Sequence, residues 1–375
     1  MKKSLLALAV ASLAMSSAAS AATVYDKDGD SLDIYGRVQG VLYSTDAAGL
    51  NSYKDNSLQA SGRLGFDMRT QVMPGVAAFA KMEWDVADGT RGDGGEWGVR
   101  YAFLGLDFGQ YGVVKGGRFE DALKPVLAAT DIFDDWGANA QVTDSDKRDG
   151  IIMYSWSGSG FEANVSYQTA ANDQVVKGFY KSETSDFDHA YAASVGYTSA
   201  PVLFGPVALK AGYSFAQTQV DEKSAENQQG DFFTRTGSKL DKIDSYALSA
   251  SWGDLSNGFY VAALYNERNL SFDVAGKSDT KISGAEAAVA YAFTNGVTLA
   301  TGFNCLKFDD GSKTVTAKVV PVYANYQMSP RFNVWAEARL DAGTDDDVKN
   351  DKSFVNTTGV DLEENVYSVG ARYTF

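Results

Sequence analysis

The chain is poor in the residues that staple, kink or titrate. Among 375 residues there are one cysteine, one histidine and six prolines, and the 33 lysines and arginines fall well short of the 48 aspartates and glutamates. A single cysteine, Cys305, excludes an internal disulfide framework. A histidine-based hydrolase would have only His189 to draw on, and no Gly-x-Ser-x-Gly or paired-aspartate motif accompanies it. The formal charge of −15 disfavours nucleic acid, whose phosphates demand a basic surface. Long hydrophobic runs are missing too: past the N-terminal segment no window approaches the roughly twenty apolar residues of a membrane helix. No cofactor or metal site is expected.

That N-terminal segment has a form of its own. Lys2 and Lys3 precede an apolar run from Leu5 to Met15, and small residues end in Ala19-Ser20-Ala21. A basic head, about ten apolar residues and an A-x-A site make a secretory signal peptide, residues 1–21, too short to span a bilayer. Cleavage after Ala21 leaves 354 residues, 22–375, and losing the two lysines takes the formal charge to −17.

What fills the rest is period-two alternation. Leu64, Phe66 and Met68 alternate with Arg63, Gly65, Asp67 and Arg69; Val76, Ala78, Ala80, Met82 and Trp84 with Phe79, Lys81, Glu83 and Asp85. Phe332, Val334, Ala336, Ala338 and Leu340 do so with Asn333, Trp335, Glu337 and Arg339. Each strand therefore has one apolar and one polar face. About sixteen such segments can be laid out, beginning near Leu32, Leu58, Val76, Trp97, Val113, Gly150, Phe161, His189, Pro206, Ile243, Phe259, Lys281, Val297, Thr314, Arg331 and Asn365. Short turns such as Met73-Pro74-Gly75 and Gly158-Ser159-Gly160 alternate with long polar tracts such as Thr45–Ser57, Ala171–Asp188, Thr218–Asp241 and Ala342–Glu364. Strands of about ten residues with turns at one end and long loops at the other describe a transmembrane barrel, which a hydropathy scan misses. The sheet must close, because an open edge in hydrocarbon leaves a row of backbone groups unpaired. Sixteen strands enclose a lumen too wide for side chains to fill.

One tract stands apart. Phe119 to Arg148 lacks clean alternation, is acidic, and yet carries Val126, Leu127, Ile132, Phe133 and Trp136. A loop that long is usually functional or disordered, and its apolar content argues for order. It is expected to fold inward and narrow the lumen.

The segments ATVYDKDGDSLDIYGR, SGRLGFDMRTQV, VRYAFLGLDFGQYGVVKGGRFEDAL, TDIFDDWGA and the terminal YSVGARYTF together resemble the Gram-negative general porins of the OmpC/OmpF type across essentially the whole mature chain. The resemblance implies an all-β, 16-stranded antiparallel transmembrane barrel with its third external loop folded inward. It also implies a homotrimer in the outer membrane that passes ions and small hydrophilic solutes. At the constriction it implies a basic wall of Arg37, Arg63, Arg100 and Arg148, each on a matching motif position. Alternation sets Arg37 on a face with Asp33, Tyr35 and Gln39, sets Arg63 with Asp67 and Arg69, and sets Arg100 opposite Val99, Tyr101 and Phe103. Those faces should meet water, since a guanidinium at the lipid midplane costs roughly 2–4 kcal/mol. On the loop Asp131 matches the first constriction acid. Asp135 replaces the glutamate of a Pro-Glu-Phe-Gly-Gly run that here reads Asp134-Asp135-Trp136-Gly137-Ala138, so a proline is lost and Asp134 is a second acid.

Arg118 occupies a position that in the family helps tie subunits together, with a lone surface arginine as the alternative. The final strand puts Tyr367, Val369, Ala371, Tyr373 and Phe375 on one face and Ser368, Gly370 and Arg372 on the other. Tyr373 and the terminal Phe375 resemble the signal read by the outer-membrane assembly machinery. The run Asp345-Asp346-Asp347 either holds divalent cations that bridge lipopolysaccharide or is a solvated charge run. With −17 overall, a modest cation preference is expected. The rival functions are a barrel enzyme, an adhesion or phage-contact barrel, and a sugar-specific porin. The last would want a lumenal aromatic stripe, of which Trp335 and Tyr35 alone are visible.

Overall fold

The computed structural model describes residues 21–44, 57–87, 97–142, 147–176, 183–219, 240–273, 278–345 and 365–375. The expected signal peptide lies outside these residues except for Ala21, as do Asp346, Asp347 and most of the tracts 45–57, 218–241 and 342–364.

Eighteen strands follow in chain order: β1 Ala22–Lys27, β2 Asp30–Tyr43, β3 Ser57–Met73, β4 Val76–Ala87, β5 Gly98–Asp107, β6 Val113–Phe119, β7 Arg148–Gly158, β8 Phe161–Gln168, β9 Ala171–Val176, β10 Glu183–Thr198, β11 Val207–Thr218, β12 Leu240–Gly253, β13 Gly258–Phe272, β14 Thr280–Ala292, β15 Val297–Asp309, β16 Thr314–Ser329, β17 Phe332–Asp341 and β18 Val366–Thr374. Between β6 and β7 lies the one described α-helix, α1, Lys124–Leu127. No helix among the described residues is long and apolar enough to cross a membrane, which says nothing of strands.

Every pairing is antiparallel, and the ladder closes on itself where β18 meets β2, from Ser368 opposite Tyr43 to Thr374 opposite Arg37. Phe375 completes the seam by exchanging both backbone hydrogen bonds with Gly36, at 2.8 and 2.9 Å. Eighteen strands make sixteen staves, because two staves are each built from two pieces. β1 pairs with the stretch Asp30–Ile34 of β2, on the edge that β18 leaves free below Gly36. β9 pairs with the outer end of β10 while β8 pairs with its inner part. The tract Ala171–Asp188, expected to be a polar loop, thus holds β9 and the start of β10. Its short, largely polar sequence hides a strand that pairs with the start of β10.

Tight turns gather at one end. Asp28 and Gly29 (φ 58° and 90°) and Ser159 and Gly160 (φ 53° and 85°) put both central residues in the left-handed region, as a two-residue hairpin requires. Apolar side chains cover the outside: Leu58, Leu104, Leu248 and Val195 are 72, 69, 59 and 61% exposed, values that make sense only against lipid. Rings border this band at both ends. Phe204 stacks on Trp252 near the tight turns, while Tyr191 on Phe215 and Tyr167 on His189 mark the other end. His189 therefore sits on the outer aromatic belt beside Asp188 (2.8 Å), away from the lumen.

Candidate functional site

The 119–142 tract buries itself against the polar, inner face of the wall. Leu123, Val126 and Leu127 pack on Ala247 of β12 and Leu264 of β13, and Phe119 and Ala122 on Ile151, Met153 and Ala192. Each fully buried aliphatic side chain contributes about 1.5–3 kcal/mol, which is why this tract is ordered. Further along, Ala129, Ile132 and Phe133 pack beside Tyr260, Ala290 and Tyr323.

Two buried wall carboxylates then hold the tip. Glu337 of β17 accepts the backbone N–H groups of Asp134, Asp135 and Trp136 at 3.0, 2.9 and 2.6 Å. Glu286 of β14 accepts the Ala140 N–H at 2.8 Å and the Thr130 hydroxyl at 2.5 Å. Asn266 of β13 grips the returning leg, accepting from the Val142 N–H (2.6 Å) and donating to the Ala140 carbonyl (2.9 Å). At the crossing Gly284 is obligatory: a Cβ there would stand 1.7 Å from the Ala140 oxygen. The missing proline is thus compensated by acceptors on the wall rather than by a local turn.

Beside the tip the wall carries a row of guanidiniums. Arg37 of β2 is the register partner of Arg63 on β3, which in turn faces Asp85 on β4. Arg63 Nε donates to Asp85 Oδ1 at 2.9 Å. Arg100 joins by a route alternation does not predict. Tyr101 and Phe103, expected on the face opposite to it, also point inward: the Tyr101 hydroxyl donates to Glu120 at 2.7 Å and Phe103 packs on Phe119 at 5.4 Å. The β4–β5 register slips between Glu83, opposite Tyr101, and Trp84, opposite Val99. Arg100 is the extra residue of that bulge, re-aimed to meet Glu83 at 2.6 Å and Asp85 at 3.1 Å.

Arg148 is not brought to this row. Its guanidinium is buried in an ion pair with Asp121 (2.7 Å) over the Phe187 ring, at the root of the tract. There it lines a small cavity with Ser245 and Arg268. Asp131 is half-exposed and paired within the tract to Lys124 at 3.0 Å. Asp135 is held by neutral donors: Ser368 Oγ at 2.6 Å, Trp335 Nε1 at 2.8 Å and the Tyr43 hydroxyl at 3.2 Å. Asp134 accepts from the Tyr323 hydroxyl (2.7 Å) and pairs with Arg372 of β18 (2.7 Å). Arg372 is the fourth member of the row and was not singled out from the sequence, although it was visible as the one cation on the polar face of the last strand. Arg118 lies on the outside, bonded to the Val99 carbonyl (3.0 Å) and Asp149 (2.6 Å). Tyr373 and Phe375 stack at the seam, with ring centroids 6.4 Å apart.

At the root, Glu120 is gripped by Lys147 (3.0 Å) and Tyr101. Burial alone would raise its carboxyl, but these partners more than offset it and hold it below the ordinary glutamate range.

The closed antiparallel barrel agrees with what the chain is similar to. Outer membrane protein S2 of Salmonella typhi is 27% identical over 405 positions, covering all of both chains. Among solved structures, OmpF of Salmonella typhi in complex with daunomycin superposes with TM-score 0.69 at 21% identity, covering 94% of this chain and all of that one. The trimer form of OmpT from Vibrio cholerae gives 0.63 at 16%, covering 93% and 100%. These structures share the barrel fold. A family model described as Gram-negative porin matches residues 7–347. The chain belongs to the Gram-negative porin family, and its place is the outer membrane.

Proposed function

We propose that this porin is a general diffusion channel for ions and small hydrophilic solutes, narrowed between the tip 131–136 and the row Arg37, Arg63, Arg100 and Arg372. The observation that carries this reading is a tract packed on the inner wall of a closed barrel, its tip held by Glu337 and met by Arg372 at 2.7 Å. Most of the charge cancels locally: Arg63 and Arg100 against Asp85 and Glu83, Arg372 against Asp134, Lys124 against Asp131. What is left is a transverse dipole. Arg37 makes no ion pair among the described residues, and the Asp135 carboxylate has only neutral donors. Such a field orients a dipolar solute and disfavours a bulky apolar one, which must displace ordered water without compensation.

The near-balance at the narrowest point leaves selectivity to the overall charge, so a mild cation preference follows from −17. Trimerisation, export by a signal peptide over residues 1–21, recognition of the terminal Phe375 by the assembly machinery and contact with lipopolysaccharide are parts of the same proposal. Arg118, on the outside and engaged by Asp149, is its subunit-contact residue.

Purified protein in planar bilayers tests the reading. A conductance that rises linearly with salt, with exclusion of neutral sugars by size alone, is expected. Block by one sugar would favour a substrate-specific porin. A silent bilayer with correctly folded protein would favour an adhesion barrel and overturn the channel.

A further inference from the structure

The guanidinium of Arg372 is fixed from three directions. Its Nε donates to Gln39 of β2 at 2.9 Å, its Nη2 meets Asp134 of the tip at 2.7 Å, and its plane packs 4.8 Å from the Trp335 ring centroid on β17. The indole in turn can lie there because position 370 is glycine: a Cβ would stand 2.1 Å from the ring. The side chain is 16% exposed and its partner 18%, so the pair is largely buried at the wall.

The consequence falls on Arg37. In register, Arg372 faces Gln39 and Arg37 faces Arg63, so Arg37 stands between two guanidiniums on neighbouring strands. Arg63, Arg372 and Arg100 all repel it, and the leading carboxylate that attracts it is Asp134. That carboxylate already belongs to Arg372. Asp85, beyond Arg63 on β4, is shared by Arg63 and Arg100.

We propose that Arg372 is a selectivity-determining residue: by claiming Asp134 it keeps Arg37 without a carboxylate partner, as the position where a permeating oxyanion or halide is held at the constriction. The proposal rests on the channel reading above. It moderates the cation preference of an acidic protein and gives anions one place to exchange their hydration for a guanidinium. Without the Arg372 charge, Asp134 is free to turn to Arg37 and the position closes to anions.

The test is the zero-current potential across a KCl gradient, with inorganic phosphate as a second anion, for the wild type and five variants. Removing one unit charge at the constriction in a water-like dielectric changes the cation-to-anion permeability ratio about two- to fivefold. Arg372→Gln should raise the ratio by that factor, and Arg372→Lys should leave it near the wild-type value. Asp134→Asn should lower it, and the double variant Arg372→Gln/Asp134→Asn should return to wild type. Arg37→Gln should abolish whatever slowing phosphate causes. A merely structural Arg372 would change heat stability without moving the potential, and that result overturns the proposal, as does a double variant that keeps the Arg372→Gln ratio. Should Arg372→Gln fail to fold, an unchanged ratio in Asp134→Asn overturns it equally. If the wild type itself were silent in the bilayer, the channel reading would have failed first, and the two failures are thereby told apart.

Discussion

Replacing Glu337 by glutamine should unseat the tip and leave the barrel standing. Glu337 is 3% exposed and gives one oxygen to Trp136 and the other to Asp134 and Asp135. The amide keeps a single acceptor oxygen, so at least one N–H loses its partner and meets an NH2 group instead, while the surviving bonds lose their charge assistance. With about 1.5–3 kcal/mol net for a hydrogen bond to a charged group, the loss comes to about 2–4 kcal/mol. That corresponds to a shift of about 30- to 900-fold toward the detached tip. The rest of the tract stays, because Leu123, Val126 and Leu127 remain buried and Glu286 and Asn266 still hold the returning leg. Detachment is therefore local, confined to about residues 131–136. Amide hydrogen exchange reads it directly: the N–H groups of Asp134, Asp135 and Trp136 should exchange faster by that factor while those of β17 do not change. Single-channel records should show added flicker. Equal exchange at all three amides in variant and wild type would refute the claim that Glu337 pins the tip.

Other outcomes follow from the same geometry. Gly284→Val should push the returning leg off the wall, since its Cβ would meet the Ala140 oxygen at 1.7 Å; faster exchange at Ala140 and Val142 is the check, at a cost of about 1–3 kcal/mol. Gly36→Ala puts a Cβ 2.5 Å from the Arg63 carbonyl oxygen and 2.7 Å from the Phe375 ring, so the seam should close poorly, seen as a lower yield of heat-modifiable folded barrel. The Glu120–Lys147 contact should respond to acid. Because the folded carboxyl lies below its unfolded value of about 4.3, its stabilisation is complete at neutral pH, declines as pH drops past that value, and is gone below the depressed folded one. Faster exchange at Asp121 and Ala122 under acid, absent in Glu120→Gln, is the expected signature.

Sixteen staves were legible in the sequence because lipid on one side and water on the other impose a period of two on every strand. The inward tract was legible by the failure of that period. What stayed hidden depends on pairing between distant strands. The bulge that turns Arg100 inward exists only relative to β4, so alternation along β5 put Tyr101 and Phe103 on the wrong side. The resemblance placed Arg148 on the wall, yet Asp121 at the root of the tract takes it in an ion pair. Arg372 and Asp134 could not be matched from sequence because their contact is made only once the last strand closes the barrel. β9 was missed since its six residues, ANDQVV, are too few and too polar to display a period of two.

The shared edge of β2 has a bearing on how the molecule is made. Its partners there come from opposite ends of the chain: β1 lies immediately before it, while the Arg372–Gln39 bond spans 333 positions. A hairpin between β1 and β2 forms from local contacts and early, whereas β18 must wait for everything between. Until then the upper part of that edge, from Gly36 to Tyr43, has no partner, and unpaired edges recruit strands from other chains. The hairpin shields the lower part alone. Assembly is thus a race between the arrival of β18 and edge-to-edge capture by another molecule, so lengthening the interval, for instance by slowing production of the last strand, should convert folded barrel into aggregate.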